Sequence, residues 1–181
     1  GNIRLNSKAV EIDSTEFEEK GIKVKLDTGE IIKTKTIILS VSLPAINKIK
    51  FEPKLNSNKL SAIKNIRSNP ITSINIIFDK RPWKEKYQDC FILCGNCYFQ
   101  EINLYEKEDK FICFGLSVDD KAELLLNKTD EEILDEILNQ LKDMKLIKEN
   151  HQNISGYHVE NWSKNNNIEL GYTSPSPLFN D

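Results

Sequence analysis

The chain has 181 residues, enough for one domain or for one domain with a small part of another. Apolar residues make up 39% and charged residues 29%, an ordinary balance for a globular chain with a buried core. The net charge of −3 argues against nonspecific nucleic-acid binding, and no apolar run approaches the roughly 20 residues of a membrane-spanning helix. Charged residues punctuate the first strand, so no signal peptide is read there, and an intracellular location is expected. Gly1 reads as a cleavage scar, which makes a fragment of a longer protein the expectation.

Residues 3–12 alternate loosely and predict a strand, followed by a charged turn over residues 16–21. Residues 22–26 alternate cleanly. Asp27-Thr28-Gly29 then signals a hairpin, and residues 30–33 return. The apolar run at residues 36–41 predicts a strand buried on both faces, ended by Pro44. Asn56 or Ser57 can cap a short helix running to about Arg67, with Leu60, Ile63 and Ile66 on one face and Pro70 breaking it. Residues 71–78, 90–93, 96–104 and 111–118 predict four more strands, the last three as an antiparallel meander. Thr129 and Glu132 spell a capping box, and Ile133, Leu134, Ile137, Leu138, Leu141 and Met144 form the apolar stripe of the helix that follows. Residues 154–162 predict a last strand before a Pro-rich tail. The layout is α+β: a mixed β-sheet flanked by helices.

The sequence holds no GxGxxG, phosphate loop, GxSxG or HExxH. His151 and His158 have no partner at useful spacing and read as surface or strand-facing side chains. The acidic residues at 130–136 complement a helix dipole rather than forming an acid/base pair. Cys90, Cys94, Cys97 and Cys113 are expected to be reduced structural thiols with no metal. The spacing of Cys90, Cys94 and Cys97 is similar to the cluster loop of radical S-adenosylmethionine enzymes, but Asn96 stands where that family usually has an aromatic. A metal site on the four cysteines is the remaining alternative.

Several segments together resemble the flavin-dependent amine oxidase superfamily of monoamine oxidases, polyamine oxidases and lysine-specific histone demethylases. Ile3-Arg4-Leu5-Asn6 with Ala9 and Ile12 is similar to the family strand that meets the adenine of FAD through its backbone at the Ala9 position. The Asp27-Thr28-Gly29 turn and the run to Ser42-Leu43-Pro44 resemble the segment that lies along the flavin. Phe51-Glu52-Pro53, Leu55, Lys59, Ala62 and Ile63 match the elbow and helix that enter the substrate domain, and Phe78, Asp79 and Trp83 match the strand after it. Trp162 and Tyr172 keep the spacing of the flavin-side Trp and the aromatic-cage Tyr.

The resemblance implies a domain plan. Residues 1–44 belong to the FAD-binding domain, residues 45–160 form the substrate-binding domain, and residues 161–181 return toward the flavin. It implies non-covalent FAD in the intact parent, because Gly171 replaces the Cys to which monoamine oxidases attach the cofactor. Ser73 stands where most of these oxidases carry a Lys that holds a water near flavin N5. Tyr172 and Ser73 are thus the candidate catalytic residues, and Ala9, Ser42, Leu43, Pro44 and Trp162 the candidate cofactor contacts. The implied partners are an amine (polyamine, methyl-lysine or monoamine) and the rest of the parent flavin domain, with no nucleic acid or membrane. The chain lacks the Gly-rich phosphate turn, so the fragment alone is expected to hold no FAD and to be inactive. Two alternatives stand beside this: another flavin oxidoreductase of the superfamily, such as a protoporphyrinogen oxidase, and a noncatalytic binding module suggested by Ser73 and the tail with Pro175 and Pro177.

Overall fold

The computed structural model describes residues 2–148 and 153–174. These divide into two compact units. One comprises residues 2–67, 167–169 and 174, and the other residues 68–148, 153–166 and 170–173. His151, Pro175 and Pro177 lie outside the described residues.

The first unit is built on a four-stranded sheet in the order β3-β2-β1-β4. Strand β1 (Ala9–Asp13) leads into a single helical turn, α1 (Phe17–Lys20), and then the hairpin β2 (Ile22–Leu26) and β3 (Ile31–Thr34). Alternation in β2 sends Val24 and Leu26 inward, where they meet Ile12 of β1 in a small core edged by Ile32, Ile37 and Phe51. Helix α2 (Leu43–Ile46) precedes β4 (Lys50–Glu52), which pairs parallel to β1 with Phe51 beside Ile12. Helix α3 (Ser57–Asn65) is capped as the sequence predicts: the Asn56 side chain accepts from the Lys59 N–H at 2.8 Å.

The second unit carries a five-stranded antiparallel sheet in the order β10-β6-β9-β8-β7. Its strands are β6 (Ile71–Phe78), β7 (Cys90–Leu93), β8 (Glu101–Lys107), β9 (Lys110–Val118) and β10 (Ile154–Asn161). The short strands β5 (Arg67–Asn69) and β11 (Tyr172–Ser174) form a separate ribbon. Helices α4 (Asp119–Leu125) and α5 (Asp130–Asp143) complete the elements. The capping box at Thr129 and Glu132 is present in both directions, at 3.2 and 2.7 Å.

One face of this sheet is the core. Ile74, Ile76 and Phe78 of β6, Ile102 and Leu104 of β8 and Cys113 of β9 are fully buried, together with Ile133, Ile137 and Leu141 of α5. Each such side chain contributes about 1.5–3 kcal/mol relative to exposure. Gly115 sets how closely the helix approaches: a Cβ there would stand 2.3 Å from Ile137 Cδ1. Gln140 pins the chain between β7 and β8 to α5. Its Oε1 accepts from the Phe99 N–H at 3.0 Å and its Nε2 donates to the Phe99 carbonyl at 2.8 Å. Trp83 (4% exposed) packs edge-on against Phe78 and Phe111 at 6.0 and 6.3 Å between ring centres. The family-like Phe78 and Trp83 are therefore core residues.

Several expected elements differ. The run 36–41 is not a strand: Ile38 is 87% exposed, and no neighbour pairs with it among the described residues. An apolar run becomes a buried strand only when other strands flank it. The first strand covers only the second half of residues 3–12, the turn at 16–21 holds α1, the predicted helix stops at Asn65, and the strand expected at 96–104 is shifted to Glu101–Lys107. Leu60 is exposed, so the α3 face is not fully covered. Helix α4 and strand β4 have no counterpart in the sequence reading.

Candidate functional site

Three sequence-predicted site residues fall in the second unit and converge on one end of its sheet. There β6 begins, and β9 and β10 end: Ile71 pairs with Val118, and Thr72 with Asn161. Ser73 opens β6 on the face opposite the core, between Leu116 of β9 and Glu160 of β10. Trp162 follows β10 immediately and begins a 3-10 turn, 39% exposed. Tyr172 is half-buried in β11, and its hydroxyl donates to Asp119 Oδ1 at 2.6 Å. Asp119 holds a left-handed backbone (φ 53°) at the start of α4, and its N–H donates to the Pro70 carbonyl at 3.2 Å.

Gly171 is fixed by its surroundings. Its N–H donates to the Asn69 carbonyl at 2.9 Å, and an added Cβ would lie 2.5 Å from Ile71 Cβ and 2.6 Å from Ile71 N. No side chain fits here without moving backbone, a cysteine next to Tyr172 included.

Among the described residues of this unit, both helices bury their apolar side chains on the core face rather than on the face that bears Ser73. Strand alternation places Ile71, Asn75 and Ile77 of β6, Phe114 and Leu116 of β9, Asn103 and Tyr105 of β8, and Phe91 and Leu93 of β7 on it. Phe91 is 55% and Leu93 70% exposed. A shallow depression of about 470 Å³ there is lined by Phe91, Asn103, Tyr105 and Phe114. Glu160, directly beside Ser73, has His158 Nε2 at 3.7 Å. The face thus mixes apolar side chains with Asn75 and Asn103 and carries the Ser73 hydroxyl and the Glu160 and Glu101 carboxylates at one end, an arrangement able to receive a molecule with an apolar part and a cationic or hydrogen-bonding group.

The other four candidates are in the first unit. Ala9 opens β1 and pairs with Leu26. Ser42 is the N-cap of α2, and Leu43 and Pro44 fill its first positions, where proline's missing N–H costs nothing. Ser42 Oγ is buried without a hydrogen-bond partner. The four cysteines are free, and the described residues hold no cluster of three or more His, Cys, Asp or Glu side chains that could take a metal. No helix among the described residues is long and apolar enough to cross a membrane.

Sequence reasoning missed Asp119 and Glu160. Glu160 could have been found from the alternation of β10 once its register with β6 was known. Asp119 meets Tyr172 across 53 residues of chain, and nothing local announces that pairing.

The chain belongs to the family described as flavin containing amine oxidoreductase, whose sequence model matches residues 1–178. Its fold is similar to that of putrescine oxidase, including a wild-type structure bound to putrescine, at TM-scores of 0.79 and 0.78 and 16% identity over 93% of the chain. It is likewise similar to cyclohexylamine oxidase from Brevibacterium oxydans IH-35A, at a TM-score of 0.77 and 16% identity over 94% of the chain. The chain spans 37% of the length of these structures, and the α+β arrangement matches that part of the amine oxidase fold. No match was found among curated proteins.

Proposed function

We propose that this chain is the substrate-side portion of an FAD-dependent amine oxidase that converts a C–N bond of an amine to an imine. The observation that carries this reading is the gathering of Ser73, Trp162 and Tyr172 at one end of a sheet face that mixes apolar and polar side chains. When bound, FAD supplies the acceptor for the hydride of the amine. Tyr172 forms one wall of the amine cage, where an aromatic face favours a cationic group. Trp162 packs against the flavin. With FAD bound, the Ser73 hydroxyl would offer a hydrogen bond to a water beside the cofactor but would bring no charge there. Glu160 beside it adds negative charge suited to a protonated amine.

Residues 1–44 supply part of the cofactor site, residues 45–160 the substrate domain, and residues 161–181 the return toward the flavin. Ala9 contributes backbone, and Ser42-Leu43-Pro44 lie along the ring, with the unpartnered Ser42 hydroxyl suited to a flavin polar atom. The exposed Ile38, Leu39 and Val41 fit cover by the rest of the parent's flavin domain. The absence of room at Gly171 fits a non-covalent cofactor. With no Gly-rich phosphate turn in the sequence, the chain alone holds no FAD tightly and is inactive.

The test is anaerobic addition of putrescine, cyclohexylamine and a methylated lysine peptide to the flavin-loaded parent protein. Loss of the oxidised flavin band with at least one amine is expected. A parent that carries no flavin would overturn the reading in favour of a noncatalytic binding module. A parent whose flavin no amine reduces would point to another oxidoreductase of the family.

A further inference from the structure

Two thiols have no part in the site above. Cys94 and Cys97 bracket the turn Cys94-Gly95-Asn96-Cys97 between β7 and β8. A four-residue turn brings its first and last Cα within about 7 Å, close to the span of a disulfide. Cys94 is 9% exposed and belongs to the core, and the half-buried Cys97 packs against that core. Burial, and then the neighbouring Cys97 thiol, push the Cys94 thiol up from its ordinary value, and Cys94 Sγ donates to Met144 Sδ at 3.7 Å. On the outer side the turn is open: a Cβ on Gly95 would meet nothing within 4 Å. On the inner side it is anchored, because the Cys94 N–H donates to the Gln100 carbonyl at 2.8 Å and Gln140 clamps Phe99. Cys113 is different in kind: full burial pushes its thiol up to about 12, and it has no reagent access.

We propose that Cys94 and Cys97 are a redox-active dithiol, a modification site that closes to an intrachain disulfide with a peroxide as oxidant. Cys97, the more accessible sulfur, attacks one peroxide oxygen. The O–O bond breaks, one water leaves, and Cys97 becomes a sulfenic acid. The Cys94 sulfur then attacks Cys97 Sγ. The S–S bond forms, the S–O bond breaks, and the hydroxyl leaves as a second water with the Cys94 proton. The two thiols lose two electrons, and the peroxide is reduced to two waters. The short turn, anchored at Cys94 and Phe99, keeps the two cysteines near each other in the chain, which favours the disulfide over further oxidation of Cys97. The proposal does not rest on the oxidase reading and stands whether or not the parent carries flavin.

The test treats the purified, reduced chain with hydrogen peroxide, alkylates the remaining thiols in denaturant, and maps the tryptic peptide 87–107, which holds Cys90, Cys94 and Cys97. The expected product has lost two hydrogens and carries a single alkyl group, on Cys90, and dithiothreitol reverses it. Cys90→Ser keeps the loss of two hydrogens and carries no alkyl group on this peptide. Cys94→Ser abolishes it and leaves Cys97 trapped by dimedone as the sulfenic acid. Alkylation of both Cys94 and Cys97 after peroxide, or a bridge that includes Cys90, overturns the proposal. The wild-type map decides the matter even if a serine variant fails to fold.

Discussion

Gly171 has no room for even a methyl group, because the obstacle is the backbone and Cβ of Ile71 rather than a movable side-chain end. Gly171→Ala is therefore expected to lower stability by about 1–3 kcal/mol, the usual cost of overpacking, read from the urea midpoint. Asp119 is tied to Tyr172 by a charge-assisted bond, and removing its carboxylate should cost about 1.5–3 kcal/mol. Asp119→Ala should show that loss together with a changed tyrosine near-UV signal. Asp119→Asn, which keeps an acceptor and tolerates a left-handed backbone, should recover most of both. At the surface, Glu16 is held down to about 2 from the ordinary 4.5, first by the hydrogen bond from Lys23 and then by that from Lys20. A depressed carboxylate adds stability above its unfolded value and loses it as pH falls through the folded one. Glu16→Gln should thus flatten the acid side of the stability profile between 4.5 and about 2, and added salt should shrink the wild-type effect.

Among the elements, those governed by local rules were legible in the sequence. The Thr129–Glu132 capping box, the Asn56 cap and the Asp27-Thr28-Gly29 hairpin all formed as predicted, because each is decided within a few residues. The strands β6, β7, β9 and β10 followed from alternation. What failed was decided by partners distant in sequence. The run 36–41 has strand chemistry but no flanking strand among the described residues, and β4 exists only because β1 lies beside it. The clamp from Gln140 to Phe99 spans 41 residues and was equally invisible. Gln140→Leu strands a buried N–H and a buried carbonyl, each worth about 1–3 kcal/mol. It should lower the melting temperature clearly and raise hydrogen exchange in the 94–100 segment.

For the whole molecule, the resemblance read from short motifs agreed with the family and with the fold, although the residues that carried it do different jobs. Phe78 and Trp83 are core residues, so they report ancestry through packing. Trp162 follows β10 at one end of the sheet, and the half-buried Tyr172 is held by Asp119. The neighbours of the candidate residues were less legible than the fold, because Asp119 and Glu160 meet Tyr172 and Ser73 only through a contact across 53 residues and through strand register. The central claim is that the chain carries the substrate side of a flavin amine oxidase without the means to hold FAD by itself. Its most direct test is the flavin absorbance retained after gel filtration of FAD-saturated protein, measured on this chain and on the longer parent. A colourless chain and a parent with near-stoichiometric flavin are expected. A yellow chain with near-stoichiometric flavin, or a parent with none, would contradict it.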